Sequence, residues 1–294
     1  MGVPDFEEDA RRALAHATVL ATIPDTEWLT VRIGERGVFR RGDVVAKVAR
    51  SRSRFPHAKR EVLVARWLGA SGVPVERPLA SEQPDERVAL PVTFWHAVDG
   101  DWTTPDRLAE VLQVMHKLTP PDDLDLPGLN PFPRMRQRLD GTASLDASQR
   151  TQLEALVDRF EPLLPVALAA SHRPNVVLHG DANIGNILVQ ANGDLAMLDL
   201  EGVCVGASAW DLMITAVYRD LGWHTDADYA AFCDAIGCDV TQDPAWPTLK
   251  AVQELRMTCW LAQKAASDPL VAQEFAGRVA DLGDPQRPRR WHPY

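Results

Sequence analysis

The sequence predicts an α+β fold in two lobes: a small antiparallel β-sheet with one helix, followed by a larger, mainly helical lobe. Two observations carry this prediction. Three β-prone runs, separated by turn residues, lie between residues 29 and 48. From Thr103 onward, apolar residues recur at the spacing of an amphipathic helix. We therefore expect a first lobe over residues 1–91, a hinge over 92–98 and a second lobe over 99–294.

The first lobe begins with three predicted strands. Residues 29–33 alternate apolar and polar side chains, as a half-buried strand does. The turn residues 34–37 separate this run from 38–40, and a second turn at 41–43 leads to the β-branched run 44–48. Connections this short join neighbouring antiparallel strands, so the sequence predicts an antiparallel sheet.

A helix and a further strand complete the predicted first lobe. The apolar residues of 56–70 lie close to one helix face, and Gly69 and Gly72 mark the helix end. The run 88–95 is apolar and β-branched, which predicts a strand. This strand would lead into the hinge at 92–98.

The second lobe is predicted to be mostly helical. Leu108, Val111, Leu112, Met115 and Leu118 have the spacing of one helix face. Further expected elements are a Pro-rich loop over 120–133, a helix over 149–160, a strand over 176–178, a hairpin of 187–189 and 195–198 around Asn192-Gly193, and helices over 210–279 with breaks at Pro244 and Pro247.

Composition and charge exclude several classes of protein. An apolar fraction of 46% and a charged fraction of 24% are typical of a folded globular chain. No apolar run approaches the roughly 18 residues that a membrane-spanning helix requires. The net charge of −10 disfavours non-specific binding of nucleic acid and suits a cationic small molecule. The segment 5–9 is acidic, unlike a targeting leader, so we expect a cytoplasmic protein with no membrane partner.

The four cysteines do not have the spacing of a metal site. Cys204, Cys233, Cys238 and Cys259 form no C-x-x-C pair and have no neighbouring His cluster, which disfavours zinc. Reduced thiols are expected in the cytoplasm, and a disulfide between Cys233 and Cys238 is the alternative.

The richest segment for chemistry is the polar loop between the apolar runs 176–178 and 187–189. Asp181 and Asn186 stand five positions apart in it, and Asp199 ends the hairpin that follows. Phosphoryl transfer requires a carboxylate that orients and deprotonates a hydroxyl, and hard oxygen ligands for Mg²⁺. Each of these residues alone is common in turns and caps, so it is the joint pattern that predicts phosphoryl transfer.

The pattern resembles the aminoglycoside phosphotransferase family, part of the wider kinase-like fold. His179-Gly180-Asp181 with Asn186 is similar to the family loop H-G-D-x-x-x-x-N. Asp199-Leu200-Glu201 resembles its D-x-E metal motif, and Trp210-Asp211-Leu212 resembles the segment that follows it. The resemblance extends from about Val44 to the C-terminus, and the lysine-poor, arginine-rich composition is similar to that of members from high-GC, actinobacterial-type genomes.

The resemblance implies a role for each motif residue. Asp181 would be the catalytic base, His179 would brace the catalytic loop, and Asn186 and Asp199 would bind Mg²⁺. Glu201 would contact metal or substrate, or else cap the next turn. These assignments are expectations that follow from the resemblance.

The nucleotide-binding residues are expected in the first lobe. Lys47 lies in a β-prone strand that resembles the V-A-I-K strand of kinases, where a lysine contacts nucleotide phosphates. Glu61, in the following helix, is its expected partner. An exposed strand lysine and an exposed helix glutamate are the alternatives. The segment 34–37 has two glycines, which fits either a phosphate-binding loop or a plain hairpin turn.

The strand before the hinge is the expected adenine-binding segment. In the resembled family the adenine edge bonds to backbone groups there, which nominates Thr93, Phe94 and Trp95. A purely structural role of Phe94 and Trp95 in the core is the alternative. Acidic and aromatic residues of the second lobe are nominated for the acceptor: Asp211, Asp220, Trp223, Glu254 and Trp260, with Glu201 as a further candidate.

The sequence therefore predicts an enzyme that uses Mg²⁺ and ATP or GTP to phosphorylate a hydroxyl of a small molecule. The resemblance points to an aminoglycoside or another antibiotic, with a cationic acceptor. A sugar, an amino alcohol or a nucleoside is an open alternative. So is a nucleotide-binding pseudokinase without catalysis. A protein kinase is disfavoured because no A-P-E motif or long activation segment follows Asp199.

Overall fold

The structure, a computed structural model, describes residues 6–23, 27–142, 145–266, 268–284 and 286–294. The strands in chain order are β1 (Leu29–Ile33), β2 (Arg36–Arg41), β3 (Val44–Ala49), β4 (Val92–His96), β5 (Asp101–Trp102), β6 (Asn175–Leu178), β7 (Ile187–Val189), β8 (Leu195–Met197) and β9 (Cys204–Ala207). The α-helices are α1 (Phe6–Leu20), α2 (Phe55–Ala70), α3 (Pro105–Met115), α4 (Phe132–Asp140), α5 (Ala147–Phe160), α6 (Leu163–Ala170), α7 (Ala209–Asp220), α8 (Asp226–Ile236), α9 (Trp246–Ala265) and α10 (Pro269–Leu282).

The chain divides into two units, each built from separate stretches of sequence. The first unit comprises Met1–Thr103, Leu118–Leu126 and Ile184–Val203, and the second comprises Thr104–Lys117, Pro127–Asn183 and Cys204–Tyr294. The hairpin of β7 and β8 belongs to the first unit because β7 pairs with β5 and because Met197 of β8 exchanges backbone hydrogen bonds with residues 74–76. These long-range pairings are the reason that the units differ from the contiguous ranges expected from the sequence.

A four-stranded antiparallel sheet in the order β1-β2-β3-β4 forms the centre of the first unit. Phe39, Ala46 and Phe94 occupy neighbouring positions on one face of it, in a core covered by α1. Residues one position along each strand point to the opposite face, and Lys47 is one of them. The three predicted strands are confirmed as β1, β2 and β3, but β1 is exposed at all five positions rather than half-buried, and α1 was not predicted.

A helix and a strand follow, both as predicted from the sequence, but only the helix has the predicted length. The predicted helix over 56–70 is α2, with Pro56 in its first turn, where proline is tolerated. The strand predicted over 88–95 begins only at Val92. Its first residues belong instead to a turn in which the Val88 N–H donates to the Asp85 carbonyl.

Helices dominate the second unit. Its long helix α9 packs against α4, α5, α6, α7 and α10, and β6 pairs with β9 beside them. The sequence predicted a helix break at Pro247. In the structure Pro247 lies in the first turn of α9, where a backbone N–H would have no partner within the helix, so proline is tolerated there. Cys233 and Cys238 are free thiols. Among the described residues, no helix combines the length and apolar character needed to cross a membrane.

Candidate active site

The loop that follows β6 in the second unit is fixed by a buried carboxylate. Asp211, at the start of α7, is fully buried and accepts hydrogen bonds from the backbone N–H groups of His179 (2.8 Å) and Gly180 (2.9 Å). Its Oδ2 is also 3.0 Å from Nε2 of His116. Gly180 has a φ of +84°, which a residue with a side chain adopts at a cost. The Trp210 indole N–H donates to the Gly180 carbonyl at 3.0 Å. The loop backbone is therefore held on both sides.

Asp181 is presented to solvent by this loop. About half of its side-chain surface is exposed (48%), and Oδ1 accepts a 2.6 Å bond from the Arg256 guanidinium. Arg256 also donates to the Gly180 carbonyl at 3.1 Å, so one arginine orients the carboxylate and the loop together. The buried His179 ring accepts from the Asp181 N–H through Nδ1 at 3.3 Å. This contact is consistent with a bracing role for His179.

The electrostatic surroundings keep Asp181 ionised. Partial enclosure raises the pKa of this carboxyl, but the positive charge and the hydrogen bond of Arg256, with a smaller contribution from Arg134, lower it further than enclosure raises it, so the net pKa lies below the ordinary value for aspartate. A carboxylate that is ionised at neutral pH and reachable from solvent can accept a proton from a hydroxyl.

Replacing Arg256 by Gln should move the acidic limb of the pH dependence of kcat/KM to higher pH. Arg256 stabilises the ionised form of Asp181, so its loss raises the pKa of that carboxyl and leaves more of it protonated at a given acidic pH. The measurement is a pH–rate profile. Arg136→Gln is the control, because it removes a partly exposed arginine that pairs with Asp158 and Glu161 in the same unit. An acidic limb that stays in place would contradict the interaction.

Lys47 is the centre of a buried ion-pair cluster in the first unit. Its Nζ donates to Glu61 Oε1 of α2 at 2.9 Å and to Glu76 Oε1 at 2.6 Å. All three side chains are buried. Burial lowers the pKa of Lys47, but the two carboxylates raise it more, so the pKa lies above its ordinary value and the amine stays charged. The structure thus excludes the alternative of an exposed strand lysine.

A hydrogen bond from the backbone of Asp199 to Glu76 holds this residue beside the cluster. Its N–H donates to Glu76 Oε1 at 2.9 Å. Its φ of +62° is in the left-handed region, which is uncommon for a residue other than glycine, although aspartate adopts it more often than most residues. Asp199 Oδ1 accepts a 2.5 Å bond from Arg36. Glu201 Oε2 lies 3.5 Å from the Arg54 guanidinium and 3.9 Å from that of Arg36.

Asn186 and Asp199 lie at the same end of the β7–β8 hairpin. The Asn186 carbonyl accepts a 2.7 Å hydrogen bond from the N–H of Leu198, the residue before Asp199. Mg²⁺ is usually held by one or two protein oxygens together with water and substrate phosphates. A carboxylate and a carboxamide at one end of a hairpin, with the Asp199 side chain partly exposed (36%), fit that donor set.

The residues nominated for adenine fall on both faces of β4. Trp95 and Thr93 share the face of Lys47: the Lys47 amine lies 4.1 Å from the Trp95 ring centre, and the Trp95 indole N–H donates to Thr93 Oγ1 at 2.9 Å. Phe94 points into the core under α1, which is the alternative reading of this residue. Its N–H donates to the Gln83 side chain at 2.6 Å and its carbonyl accepts from Leu79, so its backbone is occupied by the protein itself.

The acidic residues nominated for the acceptor are paired with cations inside the second unit. Asp220 accepts from Arg219 at 2.7 Å and from Lys250 at 2.5 Å. The buried Glu254 accepts from Arg289 at 3.1 Å through Oε2. Asp211, the third acid, braces the catalytic loop as described above and is shielded from solvent.

The nominated tryptophans occupy different surroundings. Trp223 packs against Tyr218 with ring centres 4.9 Å apart, and its indole N–H donates to the Trp291 carbonyl at 2.8 Å. Trp260 is half-buried on α9 beneath the Lys264 amine, which lies 4.1 Å from its ring centre. Among the contacts given above for Trp223 and Trp260, none is with Asp181.

Three site residues were missed by the sequence reading. Arg256 was not nominated; it bonds Asp181, while the nominated Glu254 bonds Arg289. Glu76 and Arg36 were not singled out. The only local signal was at Glu76, where a charged residue follows the apolar run Val73-Pro74-Val75. Arg36 belongs to the segment 34–37, in which only the two glycines indicated a function.

The described residues thus include a buried lysine–glutamate pair, a braced loop that presents Asp181, and a carboxylate and a carboxamide at the hairpin end, which are the groups that a kinase-like phosphotransferase requires. A family model described as the phosphotransferase enzyme family, APH, matches residues 29–255. The chain therefore belongs to the APH phosphotransferase family, which confirms the resemblance seen in the loop motif. It is therefore an enzyme that transfers phosphoryl groups. Among curated protein sequences, none matches the chain.

Solved structures support the kinase-like fold. An aminoglycoside phosphotransferase from Streptomyces rimosus has 21% identity and a TM-score of 0.62, over 84% of this chain and 97% of that one. A choline/ethanolamine kinase family protein from Mesorhizobium loti has 18% identity and a TM-score of 0.59, over 97% of each chain. An aminoglycoside phosphotransferase in complex with GDP and kanamycin has 14% identity and a TM-score of 0.62, over 93% of this chain and 99% of that one. At these identities the likeness establishes the fold.

Proposed function

We propose that the protein transfers the γ-phosphoryl group of ATP or GTP, in the presence of Mg²⁺, to a hydroxyl group of a small molecule. The observation that carries the proposal is the 2.9 Å ion pair between Lys47 and Glu61 in the buried interior of the first unit. Kinase-like enzymes require such a pair to aim the lysine at the nucleotide phosphates. A preformed pair, together with Asp181, Asn186 and Asp199, favours catalysis over the alternative of an inactive nucleotide-binding protein.

Each residue has a defined task in the proposed reaction. Lys47 binds the nucleotide phosphates, and Asn186 and Asp199 hold Mg²⁺, which neutralises charge on the phosphates. Asp181 orients the acceptor hydroxyl and takes its proton. The acceptor oxygen forms a bond to the γ-phosphorus as the bond to the β-phosphate oxygen breaks, and the nucleoside diphosphate leaves. His179 holds the loop in place for this step.

The acceptor class is proposed from the similar structures and from the acceptor candidates together. The similar structures include a kanamycin complex and a choline/ethanolamine kinase family protein, and kanamycin, choline and ethanolamine are all hydroxylated amines. We propose a hydroxylated amine, either an aminoglycoside or an amino alcohol. Trp223, Trp260 and Glu201 remain acceptor candidates, as do the two ion-paired acids Asp220 and Glu254. A sugar or nucleoside acceptor is the alternative outcome of the same assay.

A nucleotide-consumption assay tests the function. Release of nucleoside diphosphate from Mg-ATP and Mg-GTP is measured across a panel of aminoglycosides, amino alcohols, sugars and nucleosides, with nucleotide affinity from calorimetry. Lys47→Met should weaken nucleotide binding by about tenfold or more, the loss of a charge-assisted contact. Lys59→Met, at an exposed position of α2, is the matched control and should bind normally. Wild-type protein that binds neither nucleotide would reject the proposed function.

A further inference from the structure

Arg36 links the lysine cluster to Asp199, the aspartate proposed to bind Mg²⁺. Its side chain is 15% exposed at the start of β2. One guanidinium nitrogen donates to both oxygens of Glu61, at 3.1 and 3.3 Å, and the other donates to Asp199 Oδ1 at 2.5 Å. Burial lowers the pKa of Arg36, but Glu61, Asp199 and Glu201 raise it well above the ordinary value, so the group is permanently charged.

The contact with Asp199 conflicts with metal binding at the same carboxylate. The guanidinium donates to Oδ1 at 2.5 Å, so its positive charge lies directly against the carboxylate. The positive charges of Arg36 and of a divalent cation bound to the same carboxylate would repel each other at such a distance. Mg²⁺ binding to Asp199 is therefore opposed as long as Arg36 stays on this carboxylate.

The position of Arg36 supplies a place for it to go. Val38 pairs with Lys47 in the β2–β3 register, and Arg36 is two residues before Val38, so Arg36 and Lys47 share one face of the sheet. Both cations already converge on Glu61 Oε1, at 3.1 and 2.9 Å. A polyphosphate that binds Lys47 would thus lie within the reach of the flexible arginine side chain. Arginine suits phosphate because its planar fork can donate two bonds at once.

We propose that Arg36 is a nucleotide-positioning residue, which moves from its contact with Asp199 to the polyphosphate of a nucleoside triphosphate when Mg-nucleotide binds. The proposal rests on the proposed function. The contact between Arg36 and Asp199 lowers the apparent affinity for Mg²⁺, because only the molecules in which Arg36 has left Asp199 bind the metal readily. The phosphate contact increases nucleotide affinity even when no metal is present.

Calorimetry on Arg36→Gln separates these two effects. The probe is the β,γ-imido analogue of ATP, or of GTP if GTP is the donor, titrated into the full chain in excess EDTA and again in excess Mg²⁺. In EDTA the variant should bind about tenfold more weakly than wild type, because a charge-assisted hydrogen bond is lost. The gain in affinity on adding Mg²⁺ should be larger in the variant than in wild type, because Asp199 no longer has to be released.

Two further variants keep the test decisive. Arg40→Gln removes another arginine of β2, one whose pair with Asp99 lies outside the cluster, and it should behave as wild type. Arg36→Lys keeps the positive charge and should recover part of the nucleotide affinity that Arg36→Gln loses in EDTA. If Arg36→Gln does not fold, Arg36→Lys is compared directly with wild type. Arg36 variants that match wild type in both conditions would overturn the proposal while leaving the function intact. A wild-type chain that binds no nucleotide would instead reject the proposed function.

Discussion

Asp181→Asn should lower kcat by about 10³-fold, within the range that a general base contributes. The amide keeps an oxygen that can accept from Arg256, so the loop should stay in place while the proton acceptor is lost. Nucleotide affinity should remain near the wild-type value, because the proposed nucleotide contacts come from Lys47, Asn186 and Asp199. The measurements are steady-state turnover with the acceptor identified in the panel and calorimetry with the nucleotide alone.

A matched Asp→Asn change tests whether the effect is specific to the base. Asp158 is also ion-paired in the second unit, to Arg136 at 3.0 Å, but its side chain is 68% exposed on α5. Asp158→Asn should therefore leave kcat unchanged. If Asp181→Asn retained kcat within about threefold, far below the roughly 10²–10⁴-fold that a general base typically contributes, the carboxylate would not be the proton acceptor.

The elements predicted well from the sequence are those whose signals are local. The strands β1, β2 and β3 show alternation and turn residues within a few positions, and α2 shows its apolar face and its end glycines. Helix α1 was missed because its buried face consists largely of small alanines such as Ala10, Ala13 and Ala17, which add little to a hydrophobic pattern. The acidic residues of its first turn, which favour a helix start, were used only as an argument against a targeting leader.

The same distinction separates the predicted site residues from the missed ones. Asp181, Asn186 and Asp199 were found because the motif that contains them is continuous in sequence. Arg36 and Asp199 are 163 residues apart, and Arg256 and Asp181 are 75 apart. Ion pairs over such separations leave no periodic trace, and charge alone does not tell which acid faces a ligand. A sequence can therefore nominate an acid without showing that an arginine already neutralises it.

Asp211 shows how much this matters, because a residue nominated for substrate contact acts on the catalytic loop. Its carboxylate accepts from the N–H groups of His179 and Gly180 and lies against His116, with none of its surface exposed. An acceptor molecule cannot contact a fully buried group. The position of Asp181, however, depends on the two amides that Asp211 fixes.

Asp211→Ala should destabilise the protein by about 3–5 kcal/mol, because buried donors are left without an acceptor. It should also lower kcat, because the peptide units just before Asp181 are no longer held. The loss of stability is measured by urea denaturation, and kcat is measured under conditions where the variant is folded. Asp211→Asn keeps one acceptor oxygen and should fall between the wild type and Asp211→Ala in both measurements.

Asp146→Ala is the control for the number of hydrogen bonds lost. Asp146 also accepts from two backbone N–H groups, those of Ser148 and Gln149, but it does so at the exposed start of α5, where water can replace it. Its replacement should therefore cost much less stability and leave kcat unchanged. Equal losses at Asp146 and Asp211 would mean that burial of the donors contributes nothing, and a folded Asp211→Ala with normal kcat would show that the catalytic loop does not depend on this carboxylate.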